Sequence, residues 1–492
     1  MSQPAPEVDR SAAEHSKLRR ELGRFDAVCF LIAAIVVLDT LGSVARGGAQ
    51  TVVWLAAVTV LFFVPAGLVI SELGTAFPHE GGPYVWARMA FGRLAGSLVA
   101  LIYWVETPVW IGGSLAITAI AVVDELIVPV EGAWRLVFAF AFIWVTIALA
   151  LVPLRIGKWI PAACAAVQVA LLGFFTVTVA LYAASHGVHG PAAGDLAPSW
   201  AVFILAAPVL VYNFIGFELP SAAAGEMRDP QRDIPAAIAR AGALTAVLYC
   251  VPIVAIVLVL PAGEITSLTG FIDAQKSVFV VYGDGAGVLG GLAAAAFVWV
   301  LFANGLTWLI GSARSQVVAS LDGAAPRMLG TISARTGTPV RATLLSGSIA
   351  TLTATAAFAV AGDSNAKYFS AVLSLSIALL ALASVPIFAA LVRLRTSHPG
   401  VHRPFRVPGG RAGAWAASAL ATGWCALAVA AILWPGLGTA DPDAYLPAGF
   451  AGDRLGFVVV ELVPVAAVLA GAVVFARLGR RGEHRAAEVA AV

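Results

Sequence analysis

The constraint that governs this chain is a recurrence: twelve apolar runs, separated by Gly, Pro or charged residues, each near or above the ~20 residues that a helix needs to cross a bilayer. They cover 26–45, 52–76, 94–123, 134–153, 158–184, 199–224, 235–260, 286–320, 341–361, 367–392, 412–435 and 456–477. Strands of an outer-membrane barrel would alternate over about ten residues, so the runs predict an all-α integral membrane protein with 12 transmembrane helices. With 60% hydrophobic and 12% charged residues, the composition excludes a soluble or disordered chain. A formal charge of +2 gives no footing for nucleic acid. The four cysteines, Cys29, Cys164, Cys250 and Cys425, all fall within apolar runs, as small buried hydrophobes do.

Basic residues test this count, because a missed or extra span would scramble their alternation between the two sides. With the N-terminus inside, 25 of the 30 Lys and Arg fall on the cytoplasmic side. Most lie in the tails 1–25 and 478–492 and in the loops holding Arg88/Arg93, Arg155/Lys158, Arg228/Arg232/Arg240, Arg327/Arg335/Arg341 and Arg393 to Arg411. Only Arg46, Arg135, Lys276, Lys367 and Arg454 remain outside. The expectation is a multi-pass protein of the cell membrane with both termini cytoplasmic. The stretch 261–285 is too polar to span and is read as a loop helix over the extracellular mouth.

Two runs are interrupted at corresponding places. The first reads FLIAAIVVLDTLGSVARGG and brings Asp39, Thr40, Gly42 and Ser43 together; the sixth reads FILAAPVLVYNFIGFELPSAAAGE and clusters Asn213, Gly216, Glu218, Pro220 and Ser221. Gly beside polar side chains lets a helix unwind, and free backbone groups at membrane depth are tolerated only within protein or against a cavity. Paired interruptions point to a transporter's substrate site, and one break can offer N–H groups to a carboxylate and carbonyls to an ammonium. The bland alternative is a Gly or Pro kink. Carboxylates within the runs are Asp39, Glu72, Glu106, Glu218 and Glu461, each costly unless paired or wet. Asp39, Glu106 and Glu218 are candidates for binding an ammonium, carrying a proton or bracing a broken helix. Glu72 and Glu461, nearer run ends, read as interfacial or loop-bracing.

Loop motifs appear in order around these runs: SELGTAFPHEGGPYVWARMAFG at 71–92, FIGFELPSAAAGEMRDPQRDIPAAI at 214–238, ARSQVVASLDGAAPRMLGTISARTGTPVRA at 313–342 and HPGVHRPFRVPGG at 398–410. On these the chain resembles the amino acid-polyamine-organocation superfamily of permeases. The resemblance implies a leucine-transporter-like fold of two inverted five-helix repeats, 26–184 and 199–392, with helices 1 and 6 broken and helices 11 and 12 at 412–477. By motif position it implies a substrate cradle of Asp39, Thr40, Leu41, Gly42 and Ser43 in helix 1 and Phe214, Ile215, Gly216, Phe217, Glu218 and Ser221 in helix 6, next to Asn213. Glu106 of helix 3 and Asn304 and Thr307 of helix 8 would face it, and Phe217 would act as a gate. Pro78, Gly81 and Gly82 would turn a loop, and Glu226, Arg228, Asp229, Arg232 and Asp233 would form a cluster that either follows the inward gate or simply braces it. Two departures stand out. LDTLGS replaces a GSGI-like stretch, and Gln168 takes the place of a helix-5 Lys found in proton-linked relatives. A Gln cannot titrate, so a coupling proton would ride on Asp39, Glu106, Glu218 or the substrate.

The first expectation is therefore a secondary permease moving amino acids by alternating access, proton-coupled or by exchange. The second is a polyamine or amine carrier, since a dication calls for more negative charge than a zwitterion. Its partners would be a small-molecule substrate, membrane lipid and a coupling proton, without nucleic acid, and the oligomeric state stays open. A transport-dead sensor or a membrane enzyme is the remote alternative. No nucleophile motif, phosphate loop or metal-ligand spacing is found, and no cofactor is expected. His186 and His189, as HGVH, form only a loose pair.

Overall fold

The computed structural model describes residues 22–153, 157–188, 190–362 and 364–490. Among these the chain is helical, with a lone bridge between Leu22 and Met227 as its only extended pairing. Most of the expected N-terminal tail, together with Arg155 and His189, lies outside the described residues. The first apolar run is divided into α1 (Arg24–Ile35) and α2 (Leu41–Ala45). There follow α3 (Gln50–Ala76), α4 (Gly82–Phe91), α5 (Arg93–Leu126), α6 (Ala133–Ala150) and α7 (Trp159–His186). The sixth run is divided in its turn, into α8 (Trp200–Asn213) and α9 (Leu219–Ala222). The remainder comprises α10 (Pro230–Val259), α11 (Gly270–Phe279), α12 (Ala286–Leu321), α13 (Val340–Ala361), α14 (Asn365–Ser397), α15 (Gly410–Leu433) and α16 (Arg454–Ala490). Ten helical stretches among the described residues are long and apolar enough to cross a membrane. The segment 478–490, part of the expected C-terminal tail, is helical and continuous with α16.

Helix starts follow local chemistry. Asp229 accepts from the Arg232 N–H ahead of Pro230, and Ser364 from the Lys367 N–H; each satisfies a donor that the first turn leaves free. The outer faces expose apolar side chains, among them Val60, Leu61, Trp134, Val247, Leu352 and Val463, while polar groups are buried within. That inside-out distribution suits lipid rather than water. Interior contacts are close where residues are small: a Cβ on Gly112 of α5 would lie 2.0 Å from the Ala350 carbonyl oxygen, and one on Gly113 1.8 Å from Val372 Cγ1.

At the arginine-rich end, Glu72 of α3 is fully buried and takes Arg395 of α14 through two nitrogens, at 2.7 and 2.5 Å. It also takes Arg403 at 3.3 Å and the Val407 N–H at 2.8 Å, so it braces the loop after α14, as expected. Glu461 differs: it is buried in α16, and neither oxygen has a hydrogen-bond partner. The polar stretch after α10 does form a loop helix, α11, and its approach packs on α2. A Cβ on Gly42 would meet the Thr266 carbonyl oxygen at 2.6 Å, and Ser43 Oγ donates to the Ser267 carbonyl at 3.3 Å.

Candidate functional site

Both interruptions are real breaks in backbone hydrogen bonding, and they touch. Between α1 and α2 the chain leaves helical geometry at Val36. Between α8 and α9 it turns through Gly216 at φ +138°, where a side chain is strained. A Cβ on Gly216 would stand 2.9 Å from Ile35 Cγ1 and 3.4 Å from Trp308, so only glycine lets the two breaks meet.

The carbonyls freed at the first break are taken one by one from surrounding helices. Asn304 Nδ2 of α12 donates to Ala33 O at 2.5 Å and Val36 O at 3.2 Å, and Trp308 Nε1 to Ala34 O at 2.8 Å. Gln168 Nε2 of α7 donates to Val36 O at 2.7 Å. Tyr249 of α10 spans the gap, its hydroxyl donating to Ile35 O at 2.6 Å and accepting from Val37 N at 2.8 Å. Unpaired, each such group at depth would cost about 1–3 kcal/mol, so the side chains hold the unwound shape open.

Three carboxylates project from this region, each no more than 2% exposed: Asp39, Glu106 and Glu218. Asp39 Oδ2 accepts from Trp110 Nε1 at 3.1 Å and from Ser114 Oγ of the same helix. A widened turn of α5 at Ile111–Leu115 separates those two donors. Glu106 Oε1 accepts from the Tyr212 hydroxyl at 3.2 Å. Glu218 accepts from the Tyr103 hydroxyl at 3.3 Å and from the Gly216 N–H at 3.2 Å. Asp39 Oδ1 and Glu106 Oε2 have no partner, and none of the three acids is in an ion pair among the described residues. Tyr103 interacts electrostatically with both Glu218 and Glu106, and Tyr212 with both Glu106 and Asp39.

Aromatic rings connect these acids. Tyr103 lies 5.7 Å from Trp308, Trp308 6.4 Å from Trp110, and Trp110 6.5 Å from Tyr212, centroid to centroid. Trp110, Tyr212 and Tyr103 meet the acids through N–H and O–H donors at their edges, and carboxylates in such a setting attract cations more strongly where water is excluded.

The expected residues separate by role. Asp39, Glu106 and Glu218 come together, while Asn304 and Gln168 brace the first break. Thr307 turns back on its own helix, to the Ala303 carbonyl, and Thr40 donates within the unwound segment to the Val37 carbonyl. Leu41 and Ile215 are buried packing residues, Gly42 and Ser43 meet the loop before α11, and Asn213 Oδ1 is buried without a partner. Ser221 lies beside Gly74 and Gly82, near the arginine-rich end. Phe217 and Phe214 both stack on Phe63 of α3, at 4.5 and 4.4 Å. Phe217 thus faces α3 and α10, while Tyr212 of α8 and Glu218, in the break just before α9, belong to the cluster. Tyr103, Ser114, Tyr212, Tyr249 and Trp308 had no sequence signal, being single polar or aromatic residues in apolar runs. His186 is exposed and stacks on Tyr182.

Against known proteins, residues 22–450 match the model of the amino acid permease family. The probable agmatine/putrescine antiporter AguD of Lactococcus lactis subsp. lactis is 28% identical over 397 residues, 80% of this chain and 83% of that protein. An uncharacterized transporter of Legionella pneumophila subsp. pneumophila is 29% identical over 414 residues, 80% of this chain and 85% of its own length. A crystal structure of a mutant manganese transporter from Eremococcus coleocola superposes with a TM-score of 0.60 at 13% identity, covering 93% of this chain and 94% of that one. That last likeness speaks to the fold alone.

Proposed function

The chain belongs to the amino acid permease family, and from that premise we propose that this multi-pass membrane transporter exchanges organic amines, with mono- or diammonium compounds as its substrate class. The observation that carries the reading is the trio Asp39, Glu106 and Glu218, buried, without a basic partner among the described residues, and lined by Tyr103, Trp308, Trp110 and Tyr212. A buried carboxylate without a counter-charge costs several kcal/mol, which a bound ammonium offsets. A carrier emptied of cation would have to turn over with that penalty uncompensated, which favours exchange of one cation for another over net release. Gln168 supplies no titrating group at the helix-5 position, which fits exchange better than proton symport. The antiporter named for agmatine and putrescine among its relatives supports the same class.

In this reading the two divided runs complete a set of twelve crossings, arranged as two inverted five-helix repeats with α15 and α16 beside them. Both termini face the cytoplasm, and the arginine-rich end is the cytoplasmic one. Substrate would sit at the meeting of the breaks and be released alternately to either side.

Counterflow in liposomes tests the proposal. Vesicles loaded with putrescine should accumulate labelled putrescine or agmatine, and Asp39→Asn and Glu106→Gln should each reduce that uptake at least tenfold. Uptake of a neutral amino acid in place of amines would transfer the site to a zwitterion. Amine uptake indifferent to both substitutions would remove the carboxylates from it.

A further inference from the structure

Away from the breaks, arginines gather where α14 ends and α15 begins. A cavity of about 460 Å³ there is lined by Arg395, Arg403, Arg406, Arg411 and Trp415. Behind it Glu72 is paired with both Arg395 and Arg403. Arg403 is fixed in place by the Leu394, His398 and Val401 carbonyls, at 2.9 to 3.1 Å. Burial holds its guanidinium below the ordinary range; the charge of Glu72 opposes that shift, and those of Arg395 and Arg406 add to it. Arg406 and Arg411 are exposed and make no ion pair among the described residues. Four arginines therefore line a preformed hollow that has no acidic residue in its lining among the described residues, and its rim carries Trp415 at 52% exposure.

Guanidinium groups match phosphate oxygens in bidentate geometry, and an exposed Trp beside them belongs at the level of lipid head groups. We propose that this cavity binds a phosphate group, with the head group of an anionic phospholipid in the adjoining leaflet as its source. Basic pockets between the ends of membrane helices are suited to such head groups. In the proposed orientation that leaflet is the cytoplasmic one. Because Arg395, Arg403 and Glu72 also tie α14 and its following loop to α3, an occupied cavity would hold that junction closed.

The test uses the full chain in detergent, with thermal unfolding followed against dihexanoyl-phosphatidylglycerol, dihexanoyl-phosphatidylcholine and inorganic phosphate. Stabilisation by the glycerol lipid and not the choline lipid is expected, saturating with concentration. An equal shift from inorganic phosphate would keep the site and change its source to phosphate in solution. No shift with either anion, or equal shifts with both lipids, would overturn the proposal. Arg406→Gln with Arg411→Gln leaves the Glu72 pairs intact and should weaken half-saturation roughly 30-fold, at the usual worth of two interfacial arginines. The corresponding lysine pair should retain most of the affinity. Unchanged binding by the glutamine pair would also overturn it.

Discussion

At the scale of single residues, the decisive feature is a set of buried carboxyl groups with no basic partner among the described residues. Glu106 has one oxygen on the Tyr212 hydroxyl and the other without a partner, inside helices that exclude water. Such a group is there at the expense of stability, and a function that needs a cation is the natural reason to keep it. Glu106→Gln preserves an acceptor for Tyr212 while deleting the charge. In the absence of substrate it should raise the unfolding midpoint by roughly 2 °C while abolishing amine exchange. A lowered midpoint, measured by thermal unfolding in detergent, would make Glu106 a structural brace instead.

At the scale of elements, the unwound segment after α1 is held by neighbours rather than by its own hydrogen bonds. Tyr249 supplies both an acceptor and a donor to it, at 2.8 and 2.6 Å. Tyr249→Phe keeps the ring that meets Phe214 edge-on and removes only the hydroxyl. Leaving a buried N–H and a buried C=O unmatched should destabilise the chain by about 2–4 kcal/mol. The loss would be read as earlier unfolding in a denaturant series, and an unchanged midpoint would mean that water replaces the hydroxyl. Gly42→Ala tests the other half of the divided helix. Its Cβ would come within 2.6 Å of the Thr266 carbonyl oxygen, backbone that cannot step aside. The loop before α11 should lift off α2, and proteolysis between 261 and 270 should quicken in the variant.

At the scale of the whole molecule, the arginine-rich end is tied shut. Arg24 pairs with Asp233 at 2.9 Å, Arg228 N–H donates to Leu22 O at 2.9 Å, and Arg88 pairs with Asp322. Glu80, in the loop after α3, accepts from the Gly225 N–H at 2.6 Å and lies 3.8 Å from Arg314 of α12. These contacts join the segment after α9 to α12 and to the chain before α1. They must therefore part if the breaks are to open toward that side. Glu80→Gln combined with Asp233→Asn should shift the population toward that opened form. A Ser221→Cys probe, buried in the present form, should then react several-fold faster with a membrane-impermeant maleimide applied from the arginine-rich side. Equal labelling rates with and without the two substitutions would remove these contacts from gating.

What the amino-acid order decided by itself is what the surrounding solvent and the local backbone demand. Long apolar runs need lipid, and Gly beside polar residues flags both divided runs, although the first helix stops at Ile35 and Gly42 and Ser43 are already helical in α2. The loop motifs are short and contiguous, so the family was readable from them, as were the three acids whose desolvation makes them conspicuous. Partnership was not readable, because it joins residues far apart along the chain. Asn304 and Ala33 are 271 positions apart, and Tyr249 and Ile35 are 214 apart. Helices buried on nearly every side carry no hydrophobic stripe to say which face meets which neighbour. Tyr103, Tyr212 and Trp308 therefore looked like any other ring in an apolar run. Only the crossing of α5, α8 and α12 against the two breaks turned them into the wall that joins Asp39, Glu106 and Glu218, and turned Gln168 and Asn304 into braces.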